Sequence, residues 1–132
     1  ELLDDVNYQN AENQTPLWIS CFEGHSEIVR EILADERSDV NHRDKYGQTP
    51  LYAACWQGRD SVIQILLTQQ TVDLNTQDED GKTPFFVACA HENVATVKLL
   101  LEHGKFDPTI PNNQQVTPLG IACSSRNKEL VE

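Results

Sequence analysis

Thr15, Thr49, Thr83 and Thr117 stand 34 residues apart, and that interval leaves few folds open to the chain. The phrases they open read TPLWISC, TPLYAAC, TPFFVAC and TPLGIAC. Further columns keep the register. Ile28-Val29, Val62-Ile63, Thr96-Val97 and Leu130-Val131 align, followed by Ile32-Leu33, Leu66-Leu67 and Leu100-Leu101. Asp5-Val6-Asn7, Asp39-Val40-Asn41, Asp73-Leu74-Asn75 and Asp107-Pro108-Thr109 precede the four phrases. A fixed period of roughly 20 to 50 residues marks an array of small units, each with an apolar face it cannot bury alone, so neighbours must stack. The chain reads as a single domain over 1–132, with a partial N-terminal arm at 1–9, repeats at 10–43, 44–77 and 78–111, and a truncated fourth at 112–132.

One unit can be built from its residues. Thr caps a helix N-terminus well and Pro is favoured at the first helical position, where its missing N–H is not needed, so each Thr-Pro starts a helix. Gly24 and Gly58 end it after about two turns. Ser26 or Asp60 then offers a cap for a second helix, whose apolar residues fall at i, i+3 and i+4 as in Val62, Ile65 and Leu66. Between units lie polar segments such as DVNHRDKYGQ, Asp39 to Gln48, with a glycine suited to positive φ. These segments are expected to project as arms. The fold class is therefore all-α, a solenoid of stacked helix-turn-helix units with projecting β-hairpin-like arms.

The Thr-Pro-Leu opening, the Ala-Cys pair, Gly24-His25-Ser26-Glu27, the apolar end of the second helix, and the Asp-Val-Asn and Asp-x-x-Gly arm together resemble the ankyrin repeat family. Four departures are visible. The period is one residue longer than the family's, with the extra residue at Asp35-Glu36-Arg37-Ser38 and its counterparts, where only Gly104 keeps the usual glycine. Trp18, Tyr52, Phe86 and Gly120 replace the usual histidine, so packing is expected to replace its hydrogen bonds to the arms. The turn glycines Gly47 and Gly81 become Asn13 and Gln115 in the outer arms, and the last arm is expected to depart most, because Gln tolerates positive φ poorly. The absence of methionine and the stop at Glu132 in mid-helix imply a longer parent array.

All four cysteines fall at the end of the repeated phrase: Cys21, Cys55, Cys89 and Cys123. A zinc site needs four converging ligands, usually supplied as close pairs, and a disulfide needs Cα atoms within ~7 Å, whereas stacked helices lie ~8–10 Å apart. We expect no metal, no disulfide and no cofactor, but a column of small buried thiols in reduced form. Free thiols fit an intracellular, cytoplasmic setting. A stack controlled by metal or redox state is the reading this displaces. Asn13-Gln14-Thr15 matches the glycosylation pattern without a leader to give it use, and Asp78-Glu79-Asp80 lacks the spacing of a calcium loop.

The net charge of -11, from 21 acidic and 10 basic side chains, opposes binding to nucleic acid and favours a partner with a basic patch, unless it serves solubility alone. No apolar stretch approaches the ~20 residues of a membrane span. No nucleophile–base set, phosphate loop or carboxylate pair emerges, so the chain is expected not to be an enzyme. It is expected to be a monomeric protein–protein interaction module or scaffold. The alternative is a structural spacer or regulatory arm within a larger enzyme, channel or scaffold.

The resemblance implies a concave binding surface of arm tips and first helices. The candidates there are Phe22, Tyr46 and Trp56 as aromatic anchors, with Glu12, Glu23, Arg43, Lys45, Gln57, Glu79, Asp80 and His91 around them. Trp56 either presents itself to a partner or folds against Tyr52. Trp18, Tyr52 and Phe86 are assigned to packing between repeats. Asn41 and Asn75 resemble arm asparagines that asparaginyl hydroxylases modify, beside the plainer role of holding the arm in place.

Overall fold

The Thr-Pro signal works as expected throughout the computed structural model, which describes residues 5–124. Seven helices form among these residues: α1 (Pro16–Glu23), α2 (Ser26–Leu33), α3 (Pro50–Gln57), α4 (Asp60–Leu66), α5 (Pro84–Ala90), α6 (Val94–His103) and α7 (Pro118–Ser124). The expected second helix of the fourth repeat, with the Leu130-Val131 column, lies outside the described residues. Thr15, Thr49, Thr83 and Thr117 each accept, through Oγ1, the backbone N–H three residues on, at 3.0–3.2 Å. Each such cap is worth about 1 kcal/mol.

Gly24 and Gly58, at φ 79° and 68°, close the first two of these helices. The next turn differs from the expectation. Ser26 and Asp60 are already the first helical residues, and His25 and Arg59 occupy the cap positions without a side-chain cap bond. The αL residue folds the chain back so tightly that the N–H groups of Ser26 and Asp60 reach the Gly24 and Gly58 carbonyls, both at 3.0 Å. The backbone thus does the work assigned to a side chain.

First helices stack in the order α1, α3, α5, α7, and second helices in the order α2, α4, α6. The core runs between the two rows. Leu17, Leu51, Phe85, Val29, Val62, Val97, Ile32, Leu66 and Leu100 are all buried, with Val6, Val40 and Phe106 closing it from the arm side. Fully burying a side chain of this size stabilises by roughly 1.5–3 kcal/mol. Cys21, Cys55 and Cys89 belong to this core, and burial raises all three thiols, Cys89 to about 11. Cys123 departs from the expected buried column: it is exposed, because among the described residues no further first helix packs on α7.

The arms are hairpin-like turns with no strand among the described residues. In each, the backbone N–H of Asn10, Asp44, Asp78 or Asn112 bonds the carbonyl four residues on, while that residue's Oδ1 takes the N–H groups at i+2 and i+4. The positive-φ seat holds Asn13 at 60°, Gly47 at 80°, Gly81 at 82° and Gln115 at 66°. The last arm therefore has the same geometry as the others, contrary to expectation. Its Asn112 side chain makes both turn bonds, and those hold Gln115 in place.

Neighbouring arms are stitched together. Lys45, Glu79 and Asn113 donate backbone N–H groups to the carbonyls of Glu12, Tyr46 and Asp80 at 2.8–3.0 Å. Asn7 and Asn41 each bridge to the following unit, donating to Arg37 O or Thr71 O and accepting from Asp39 N or Asp73 N; Asn75 accepts from Asp107 N. The extra residue of the period is taken up after α2, where Ser38 Oγ bonds the Ile32 and Asp35 carbonyls. There Arg37 pairs with Asp35 at 2.6 Å, and its hydrogen bonds hold the Asp35 carboxyl down at about 2.

Candidate partner-binding face

Arm tips and first helices share one face, and an aromatic run crosses it. Trp18 and Phe22 on α1 stack with centroids 5.3 Å apart. Phe22 meets Trp56 on α3 edge-on at 5.6 Å, and Trp56 meets Tyr52 at 6.2 Å and His91 at 5.7 Å. The one-repeat offset between Phe22 and Trp56 brings them together because α1 and α3 are adjacent in the stack. Both are half-buried: Trp56 packs on Tyr52 and still meets solvent.

Tyr46 stands over this run from the second arm and is 45% exposed. Its hydroxyl donates to Glu12 Oε2 at 3.3 Å, and Lys45 Nζ lies 3.9 Å from the same oxygen and 5.9 Å from the Tyr46 ring. Phe22, Tyr46, Trp56, Glu12, Glu23 and Lys45 are therefore one neighbourhood. His91 extends it along α5; burial, then the Lys82 charge, pushes its pKa down. Gln57 is exposed at the end of α3, and Glu79 and Asp80 are exposed on the third arm tip. Arg43 is engaged differently: its guanidinium donates to Gln77 O at 2.8 Å and braces one arm against the next.

Three further residue roles emerge. Arg59 Nε donates to Phe22 O at 3.1 Å, and Asn93 Nδ2 to the Cys55 and Trp56 carbonyls at 3.0 and 3.1 Å, so each ties the end of the preceding first helix and fixes its aromatic residue. Their shared column with His25 was visible; its reach to the previous repeat was not. Trp18, expected only to pack, donates its Nε1 to Gln48 O at 3.1 Å, and burial, then the nearby Asp78 carboxylate, raises the Tyr52 phenol. At Trp18 a hydrogen bond to the arm thus survives the loss of the histidine, because Trp carries a polar tip on an apolar body.

Asp44 is the third. Only 6% exposed, it uses Oδ1 for the N–H groups of Tyr46 and Gln48, both at 2.9 Å. Its Oδ2 is buried and has no hydrogen-bond partner. Burial raises its carboxyl above the ordinary value. Between these arms and helices lies a recess of about 560 Å³, lined by Trp18, Phe22, Glu23, Asp44, Tyr46 and Trp56 among others.

Stacked two-helix units with projecting, cross-linked arms agree with what the sequence shares with a known family. The family model for ankyrin repeats matches residues 1–78 and 70–132. The chain belongs to the ankyrin repeat family. No curated protein matches it. Ankyrin repeats are generally protein–protein interaction modules and typically non-catalytic. Among the described residues of this ankyrin array no three His, Cys, Asp or Glu side chains gather as a metal cluster, and no helix is long and apolar enough to cross a membrane.

Proposed function

We propose that the chain is a non-catalytic module that grips another protein on the face made by its arm tips and first helices. The observation that carries this reading is the half-exposed aromatic run of Phe22 and Trp56 under Tyr46, held on rigid elements and open to solvent through a recess. Aromatic side chains in such positions supply much of the energy of protein interfaces. The arms are already fixed by backbone bonds between neighbours, so little ordering entropy is lost on docking. Glu12, Glu23, Glu79 and Asp80 give the face a charge suited to a basic partner. The module works as a monomer, and its reduced, buried thiols suit an intracellular, cytoplasmic setting.

The test is a footprint. A partner isolated on the immobilised chain is mapped by amide hydrogen exchange, then titrated against Tyr46→Ala. Protection is expected in residues 43–48 and around Phe22 and Trp56, with Tyr46→Ala weakening binding by about 2 kcal/mol, a hot-spot value. Protection confined to α2, α4 and α6, with Tyr46→Ala binding as tightly as the parent, would overturn the assignment. Tyr46 serves better than Trp56 here, since Trp56 is packed on Tyr52 and its removal also lowers stability.

A further inference from the structure

We propose that the recess between the first two repeats is a pocket for one arginine side chain of the partner protein, with aromatic rings as its walls and Asp44 as its anionic floor. This deepens the preceding reading and rests on the arm-and-helix face being the docking face.

Two independent observations meet at this place. The first is the wall. Trp18 and Phe22 lie nearly parallel, 14° apart, with Trp56 set edge-on against Phe22 and Tyr46 on the arm side. The faces of such rings attract cations, and a guanidinium adds planar stacking that an ammonium lacks. The structure already shows the tendency, since Lys45 Nζ sits over the Tyr46 ring, drawn outward by Glu12.

The second is the carboxylate. Four arms carry Asn or Asp in the same seat, and the surroundings differ in what they offer the second side-chain atom. Asn10 Nδ2 donates to Gln14 Oε1 at 3.0 Å. The Asp78 carboxylate lies near the Tyr52 hydroxyl and leaves no buried oxygen without a partner. At Asp44 the corresponding first-helix residue is Trp18, whose only donor is used on Gln48 O. Asp44 Oδ2 is left buried without a donor.

An unsatisfied buried acceptor is costly, more so when it carries charge. A guanidinium entering the recess, with the covering rings shifting to admit it, would supply N–H donors to the buried Asp44 Oδ2, and Glu23 in the same lining would take others. Neutral or anionic side chains offer the wall no cation and leave the carboxylate uncompensated. The chain's net charge of -11 favours the same occupant.

Trp18 and Trp56 are the only tryptophans, and both line the recess, so indole fluorescence of the whole chain reports on it directly. The probes are N-acetyl-arginine methylamide, its neutral citrulline isostere and the lysine counterpart. The arginine probe is expected to change the emission saturably, with the citrulline probe at least ~10-fold weaker and lysine between them. Asp44→Asn is expected to lower the arginine-to-citrulline ratio at least several-fold, the remainder coming from the rings and Glu23. That variant keeps the arm, because Asn10 and Asn112 hold the same turn bonds in their own arms; an unchanged circular dichroism spectrum checks this.

Equal response to arginine and citrulline would overturn the proposal. So would tighter binding of lysine than arginine, or a preference undiminished by Asp44→Asn. The titration needs no partner, so the two readings fail separately. A footprint on this face without arginine selectivity removes the pocket alone, and arginine selectivity with a footprint elsewhere removes the docking face.

Discussion

Asp44 shows how one repeated seat acquires a private chemistry. Its carboxyl is raised above the ordinary 3.8, chiefly by burial, so the unfolded chain releases this proton at lower pH than the folded chain. Stability from this group is fully present below 3.8 and is lost as pH rises through the folded value. Asp44→Asn should therefore stabilise the chain at pH 7 by about 1 kcal/mol, since the introduced amide could donate to Gln48 as the Asn10 amide donates to Gln14. The advantage should vanish near pH ~3, where Asp44 is neutral in both states. Urea unfolding of both chains at the two pH values measures it, and a difference independent of pH would refute the account. A second residue-scale prediction concerns the thiols. Cys21, Cys55 and Cys89 are buried and their thiolates disfavoured, so an alkylating reagent should label Cys123 alone in the native chain. The others should follow only at the unfolding rate. Peptide mass spectrometry distinguishes this from early labelling at Cys55.

At the scale of the element, the helix starts were legible because their signals are local: Thr supplies the acceptor and Pro the fixed φ. The second-helix starts were less legible because their satisfaction is a property of the backbone turn, set by an αL residue rather than by Ser26 or Asp60. That seat holds Gly24, Gly58 and, one repeat on, Glu92 at φ 58°. Glu92 and Gln115 thus occupy left-handed conformations that side chains resist. Glu92→Gly and Gln115→Gly should each stabilise by about 1 kcal/mol, read as a higher denaturant midpoint at unchanged slope. Gly81→Ala should cost more than about 1 kcal/mol: φ is +82°, and a Cβ would lie 2.7 Å from the Asn113 backbone nitrogen, within the bond that joins two arms. A Gly81→Ala chain as stable as its parent would mean that the arm stitching contributes nothing.

For the molecule as a whole, the 34-residue interval made the solenoid legible, since registered columns require stacked units. The candidate face was legible in part. Phe22 and Trp56 could be paired from their shared column, but Asp44 looked like any turn Asp until Trp18, not Tyr, was seen across from it. Which side chains come together depends on neighbours 26 residues apart, as in Trp18 with Asp44 and Tyr52 with Asp78, and no local pattern reports that. Charge acts at this same scale. It is skewed along the stack, from -4 in residues 1–14 to zero in 117–132, so the field is strongest near the two repeats that carry the recess. A basic partner should be steered to that end. Raising salt from about 0.05 to about 0.5 M shortens the screening length from roughly 14 to roughly 4 Å, less than the width of a helix pair. Association with the isolated partner should then slow by about tenfold or more, while dissociation, set by the aromatic contacts and the buried ion pair, changes little. Stopped-flow measurement of both rates decides it. An association rate indifferent to salt would assign the acidic surface to solubility and leave the recess to recognise its arginine without help from the long-range field.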